Sequence, residues 1–383
     1  MVHNRVLLVL VLAGLSAAPF LAFLTLAPNR LVSGAPIATT ALLHGWALVV
    51  LLPAAVLALG PFLPPSRALH ALVAAGASGF LLILVSIAGA EAARLAAVAP
   101  PVARISLGGA FWVLLIAAGL ALSDAVRRLA LPVAGQLMAA AAVLGAVGVL
   151  VGSGALDALA ILREYAARRE LFAAAVLRHA TMVGAALLPT ALAGVPLGVL
   201  AARRKTLAAW LFPLLNIVQT IPSIALFGLL LAPLSGLARA LPGLAELGIG
   251  GVGFLPAVIA LFLYALLPIA RDTAEGIAGV SPAAVEAGRG LGMTARQLLW
   301  RVELPLALPV ILSGLRIATL QAIGLAAVAA LIGAGGLGAI MFQGLFADAL
   351  DLVLLGVVPI IALALAAAAL FELGIGYVGR MPR

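Results

Sequence analysis

Runs of about 20 apolar residues, each long enough to cross the ~30 Å hydrocarbon layer of a bilayer, recur from one end of the chain to the other. The pattern predicts ten spans, near residues 5–27, 37–60, 69–90, 105–122, 131–152, 179–201, 208–232, 252–270, 308–332 and 352–374. The first run carries Arg5, a Leu/Val stretch and the small residues Ser16, Ala17 and Ala18, as a secretory signal does. Its apolar character continues to Ala27, which favours a retained span over a cleaved leader. The expected fold is therefore all-α and polytopic, with about ten transmembrane helices.

Composition agrees with that pattern. The 383 residues are 65% hydrophobic and 9% charged, more apolar surface than one soluble core can bury. The absence of cysteine excludes disulfides and thiolate metal sites. The net charge of +9 comes from basic residues placed singly or in pairs between apolar runs, the layout of a topology signal rather than of a nucleic-acid surface. With both termini in the cytoplasm, thirteen cations lie inside: Arg5, Arg67, Arg127, Arg128, Arg203, Arg204, Lys205, Arg271, Arg289, Arg296, Arg301, Arg380 and Arg383. Eight lie outside: Arg30, Arg94, Arg104, Arg163, Arg168, Arg169, Arg178 and Arg239. The expected topology is a membrane crossed many times with both termini cytoplasmic.

Four of those eight fall in residues 153–178, which divide the chain into five spans before and five after. There Leu156, Leu159, Leu162, Tyr165, Phe172 and Val176 recur at helical spacing, with Glu164 and Arg168 four apart. The segment reads as an extracytoplasmic amphipathic helix on the membrane surface, either a plain connector or a docking surface for an outside partner. The organisation expected is an N-terminal block over 1–152, this connector over 153–178, and a second block over 179–383.

One cytoplasmic stretch, VEAGRGLGMTARQLLWRVELPLALP at 285–309, gathers Glu286, Arg289, Arg296, Arg301 and Glu303. Five charges at mid-bilayer would cost about 15 kcal/mol, so the cluster lies in water or at an interface. Ser281 as N-cap with Pro282 at the first position predicts a short helix over 282–289, broken by Gly290 and Gly292. Thr294 with Gln297 fits a capping box for a second helix ending before Pro305.

Glu286-Ala287-Gly288, then Gly292, Val302 and Leu304-Pro305 at their present spacing, resemble the EAA loop of binding-protein-dependent ABC importer permeases. Gly288 stands where alanine is usual and Val302 where isoleucine is usual; glycine loosens a helix by about 1 kcal/mol against alanine. NIVQTIPSIALFGLLL (216–231), PAVIALFLYALLPIARDTAEGI (256–277), ELPLALPVILSGLRIAT (303–319) and LIGAGGLG (331–338) resemble the osmoprotectant branch, which imports glycine betaine, choline or carnitine. That likeness covers 179–383, and the first 152 residues resemble the long forms of the branch. It implies a five-helix type I importer core at 179–383. It also implies that the loop at 281–305 carries a coupling helix through Glu286, Ala287, Gly288, Gly292, Leu304 and Pro305. The implied partners are a cytoplasmic ABC ATPase dimer, a second permease subunit (identical or homologous) and an extracytoplasmic substrate-binding protein, all around a membrane-embedded chain in contact with lipid.

Several other patterns bear on function. Asn216, Gln219, Thr220 and Ser223 stand at i, i+3, i+4 and i+7, a polar stripe beside Pro222 that serves either interhelical hydrogen bonds or a transport route. Arg316 sits in the ninth span, either snorkelling to the cytoplasmic surface or acting at a gate or dimer contact. Gly333, Gly335 and Gly338 satisfy GxGxxG but follow a membrane span, so close helix packing or a helix end is expected instead of dinucleotide binding. Lys205-Thr206 lacks the glycines of a phosphate-binding loop, so an ATP-hydrolysing partner is required and the chain is not itself expected to be an enzyme. His3, His44, His70 and His179 are scattered, with no metal or cofactor site expected. Aromatic cages usually hold quaternary ammonium ligands, yet aromatics are only 5% here, which places substrate affinity on a separate binding protein. The competing readings are a permease for methionine or another small solute, and an ion-coupled secondary transporter. The latter needs a buried acidic residue, whereas the acids are expected in loops or at span ends.

Overall fold

Asn4 starts the first helix, α1 (Arg5–Phe20), by accepting the Leu7 amide at 3.1 Å. Its side-chain amide also donates to Asp124 Oδ2 at 2.8 Å, near the end of α4 (Gly109–Arg128), where Arg128 Nε reaches the same oxygen at 2.8 Å. The computed structural model describes residues 2–29, 32, 34–241 and 250–379. Arg30, Arg380 and Arg383, counted above for topology, lie outside these. The chain divides into two compact units, Met1–Ala167 and Arg168–Arg383.

In the first unit α1 gives way to strand β1 (Ala22–Ala27), which pairs antiparallel with β2 (Ala35–Ala38) on one side and β3 (Arg104–Leu107) on the other. The sheet is a departure from the all-α expectation. β1 (AFLTLA) is almost wholly apolar, and a short apolar run does not announce its period, so the expected span 5–27 absorbed it. Helix α1 is consequently 16 residues, short of a full crossing. Phe23 and Leu24 of β1 are buried, with Phe23 meeting Phe111 of α4 edge-on at 5.6 Å. The other helices are α2 (Leu51–Leu59), α3 (Arg67–Val98), α5 (Val133–Gly152) and α6 (Ala160–Ala167).

The expected surface helix over 153–178 is not continuous. Residues 153–159 form turns that sink Leu156 and Leu159 into the core of the first unit, and Ala155 O lies so close to Gly89 of α3 that an added Cβ would meet it at 2.4 Å. Glu164 is buried on α6, and Arg104 Nη2 of β3 lies 2.7 Å from it. Leu156 and Leu159, with Leu162 against them, thus serve a protein core rather than a lipid surface.

The second unit contains α7 (Arg169–Arg203), α8 (Lys205–Thr220), α9 (Ser223–Ala240), α10 (Phe254–Ala278), α11 (Pro282–Gly290), α12 (Ala295–Leu298), α13 (Leu304–Val328), α14 (Leu337–Phe346) and α15 (Leu350–Val378). Helix α10 is central, packed chiefly on α7 and α13. Small residues set those contacts: a Cβ at Gly198 would stand 2.5 Å from Ala270 O, and one at Gly314 2.8 Å from Pro268 O. Buried Ala257, Ala260, Leu261, Ala265, Ile269 and Ala270 carry the rest of the α10 contact surface. Among the described residues of both units, nine helices are long and apolar enough to cross a membrane. Helix α1 accounts for the difference from ten.

Candidate coupling surface and transport route

Pro282 opens α11 without cost, because the first helical N–H has no intrahelical partner to lose. Ser281 occupies the N-cap position, but its side chain makes no capping bond. The helix runs through Gly290, so of the two expected breakers only Gly292 acts, at φ +76°. There Gly292 N donates to Arg289 O at 2.9 Å and Met293 N to Gly288 O at 3.1 Å. These are the two bonds of a Schellman turn, whose left-handed residue is normally glycine. Thr294 then starts α12 with both halves of the expected capping box: Gln297 N to Thr294 Oγ1 at 3.3 Å, and Thr294 N to Gln297 Oε1 at 2.9 Å.

Gly288 is buried, and an added Cβ would lie 2.7 Å from Leu298 Cδ1 and 3.4 Å from Met293 Sδ. Far from merely loosening α11, it lets α11 lie against α12. Glu286, Ala287 and Arg289 remain exposed, as do Leu291 at 79% and Trp300 at 64%. The outcome is a rigid helical hairpin that presents an acid, a base and bare apolar groups outward.

The second helix does not end before Pro305. It passes through a π turn at Leu299–Glu303, where Leu304 N reaches back to Leu299 O, and continues as α13. Leu304 and Pro305 therefore belong to the first turn of α13. The widened turn accommodates a proline that has no N–H to give and whose ring crowds the carbonyl four residues back. Glu303 in the π turn receives Arg203 Nη2 at 2.7 Å, which ties the loop to the last turn of α7.

Asn216, Gln219 and Thr220 share α8, but the helix stops at Thr220, and Ile221 and Pro222 are extended at ψ 126° and 137°. Ser223 begins α9, so the expected four-residue stripe is three residues plus a separate helix start. Asn216, Gln219 and Ser223 are half-buried, and Thr220, exposed, turns its hydroxyl to Ile217 O at 2.7 Å. Gln219 Nε2 donates to Tyr264 O of α10 at 2.8 Å, while Tyr264 OH donates to Ile221 O. Pro268 explains the first bond: four residues beyond Tyr264, it lacks the N–H that Tyr264 O would otherwise accept. Gln219 replaces the missing donor. Sequence reading found Gln219 and missed Tyr264, although Pro268 inside an apolar run marks an unsatisfied carbonyl four residues earlier.

Arg316 Nη1 lies 2.9 Å from Glu372 Oε2 of α15, so its charge is met within the subunit. Glu91, Asp272 and Glu372 are on α3, α10 and α15 within about two turns of the helix ends, but burial is not confined to apolar groups: Glu91, Glu164 and Asp351 are buried, the first two against Arg94 and Arg104. The GxGxxG glycines line the link into α14: a Cβ at Gly338 would lie 2.0 Å from Ala327 O, the close packing expected. Beside this link His179 is fully buried, with Nε2 3.1 Å from Ile323 O, and Arg178 Nε donates to Ala334 O at 3.1 Å. Among the described residues no three His, Cys, Asp or Glu side chains are grouped as a metal site.

Comparison with known proteins places these elements. Residues 4–162 match the family described as the N-terminal domain of the ABC transporter permease YehY, and residues 194–380 match the binding-protein-dependent transport system inner membrane component. The osmoprotectant import permease OsmW of Salmonella typhimurium is 44% identical over 188 residues, which cover 49% of this chain and 82% of OsmW. The glycine betaine/carnitine/choline permease OpuCD of Bacillus subtilis is 40% identical over 183 residues, covering 48% of this chain and 73% of OpuCD. A solved inward-facing MetNI methionine ABC transporter aligns with 55% of this chain and 98% of its own at 25% identity, with a TM-score of 0.45. Given the extent of OsmW that aligns, the chain belongs to the binding-protein-dependent inner-membrane permeases, on the osmoprotectant branch of that family.

Proposed function

We propose that this chain is the multi-pass inner-membrane subunit of an ATP-driven importer for a compatible solute such as glycine betaine, with both termini in the cytoplasm. Residues 179–383 form the permease core, residues 1–152 an added transmembrane block, and 153–178 the extracytoplasmic link. The core pairs with a second permease subunit, receives solute from an extracytoplasmic binding protein, and is driven by a separate cytoplasmic ATPase dimer that hydrolyses the ATP.

The observation that carries this reading is the exposed α11 hairpin. Glu286, Ala287, Gly288 and Gly292 form a stub closed by the Schellman turn and continuous, through the π turn and Leu304-Pro305, with a membrane-length helix. Closure of the ATPase pair pushes on this stub, and the motion rocks the bundle between inward-open and outward-open states. Asn216, Gln219, Thr220, Ser223 and Arg316 are the polar groups nearest a route through the core.

The test is Glu286→Arg in proteoliposomes holding the complete transporter. The acid is exposed, so folding and ATPase assembly persist, while uptake of labelled betaine falls and ATP hydrolysis no longer responds to the loaded binding protein. Undiminished uptake by the assembled variant would rule out the role given to this helix.

A further inference from the structure

The first unit contains a cavity of about 240 Å³ whose only polar lining residue is Thr39. Its origin lies in how four helices pair. Helix α1 packs on α4, where a Cβ at Gly14 would touch Leu114 Cδ2 at 3.1 Å, and α2 packs on α3, where one at Gly76 would meet Val56 Cγ1 at 3.0 Å. Each pair is tight and the space between α1 and α2 is left open. Few residues of α1 and α2 touch across this space, and the apolar side chains of Leu10, Val11, Leu15, Leu51, Ala54 and Ala58 line it.

The cavity opens between Leu15 of α1, 63% exposed, and Leu51 of α2, 50% exposed, both part of its lining. Water is a poor occupant, since a buried water needs two to four polar partners and an apolar void of ~150 Å³ stays dry yet takes up benzene. Lipid is the medium that surrounds a polytopic chain, and its tails match these walls. At the end nearest the sheet, directly after β2, Thr39 Oγ1 is buried with no hydrogen-bond partner. An apolar slot with a single free hydroxyl at one end suits an extended chain that terminates in an acceptor.

We propose that this slot binds one acyl chain of a membrane phospholipid, with its ester carbonyl accepting from Thr39 Oγ1. The first unit then carries a lipid site of its own, independent of how the second unit moves solute.

The test uses the full chain in vesicles of phosphatidylethanolamine and phosphatidylglycerol, with a small fraction of phosphatidylethanolamine bearing a diazirine on one acyl chain. After illumination, crosslinked peptides are mapped by mass spectrometry. Labelling of the α1 and α2 segments that line the slot is expected to exceed several-fold that of Met138, Leu144 and Val149 on α5, which are 70–71% exposed and report bulk lipid. Ala58→Trp fills the slot and removes the excess while leaving α5 labelling unchanged. Thr39→Val, nearly isosteric and harmless to folding, lowers slot labelling several-fold. Equal labelling of slot and α5, or slot labelling indifferent to Ala58→Trp or to Thr39→Val, overturns the proposal.

Discussion

Gln219→Leu removes the donor that meets Tyr264 O, and the size of the resulting loss follows from the local geometry. Tyr264 O has no helical partner because Pro268 stands four residues on, and Gln219 Nε2 meets it at 2.8 Å. A buried carbonyl left without a partner costs about 1–3 kcal/mol, although interhelical hydrogen bonds in bilayers average nearer 0.6 and reach about 1.7. A destabilisation of about 1 kcal/mol is therefore expected. Pro268→Ala returns an N–H to the position that Tyr264 O needs, so in that background Gln219→Leu should cost far less. The interaction energy between the two sites, read from the four-member cycle, should be about 1 kcal/mol. Thermal denaturation of the four purified proteins in one detergent gives the readout, with Gln219→Leu shifted down by about 2–4 °C in the native background. If the two substitutions add within about 0.3 kcal/mol, the amide does not substitute for the proline's missing donor and the reasoning fails.

Three further outcomes are expected around the hairpin. Gly292→Ala should cost about 1–2 kcal/mol through its left-handed backbone, with Asn milder, and hydrogen exchange at the amides of position 292 and Met293 should rise more for Ala than for Asn. Gly288→Ala should be nearly neutral, because its contact is the movable end of Leu298 and helix propensity returns about 1 kcal/mol, whereas Gly288→Leu should disrupt the hairpin and reduce assembly with the ATPase in pull-down. Glu303→Arg should weaken uptake through repulsion with Arg203, and the added Arg203→Glu should restore it; the thermal stability change stays under about 1 kcal/mol because Arg203 is 39% exposed.

What the sequence disclosed was set by range. The Thr294–Gln297 box and the end of α11 at Gly292 depend on contacts three to five residues apart, and local spacing reveals them. Membrane spans follow from length alone, yet their ends shift wherever another apolar element adjoins, as β1 does after α1. Longer contacts escaped. Glu164 with Arg104, Arg203 with Glu303 and Arg316 with Glu372 join residues between 56 and 100 apart, and no periodicity relates them. The four-residue stripe failed for a different reason: a helical wheel presumes an unbroken helix, and the chain straightens at Ile221 and Pro222. Gly288 looked like a weakened alanine because its neighbour Leu298 lies across a turn that a linear reading does not fold.

The helix beginning at Ala295 and ending at Ile332 numbers 38 residues and measures about 57 Å, nearly twice the hydrocarbon thickness. It is therefore long enough to cross the oily layer and still project beyond it, which under the proposed function makes it a connecting rod between the α11–α12 hairpin and the far end of α13. A rod transmits displacement undiminished unless it contains a joint, and the widened ladder at Leu299–Glu303 is one such joint. Arg203 braces that turn from the neighbouring helix, and Pro309, about two turns on, removes one further backbone donor from the same stretch.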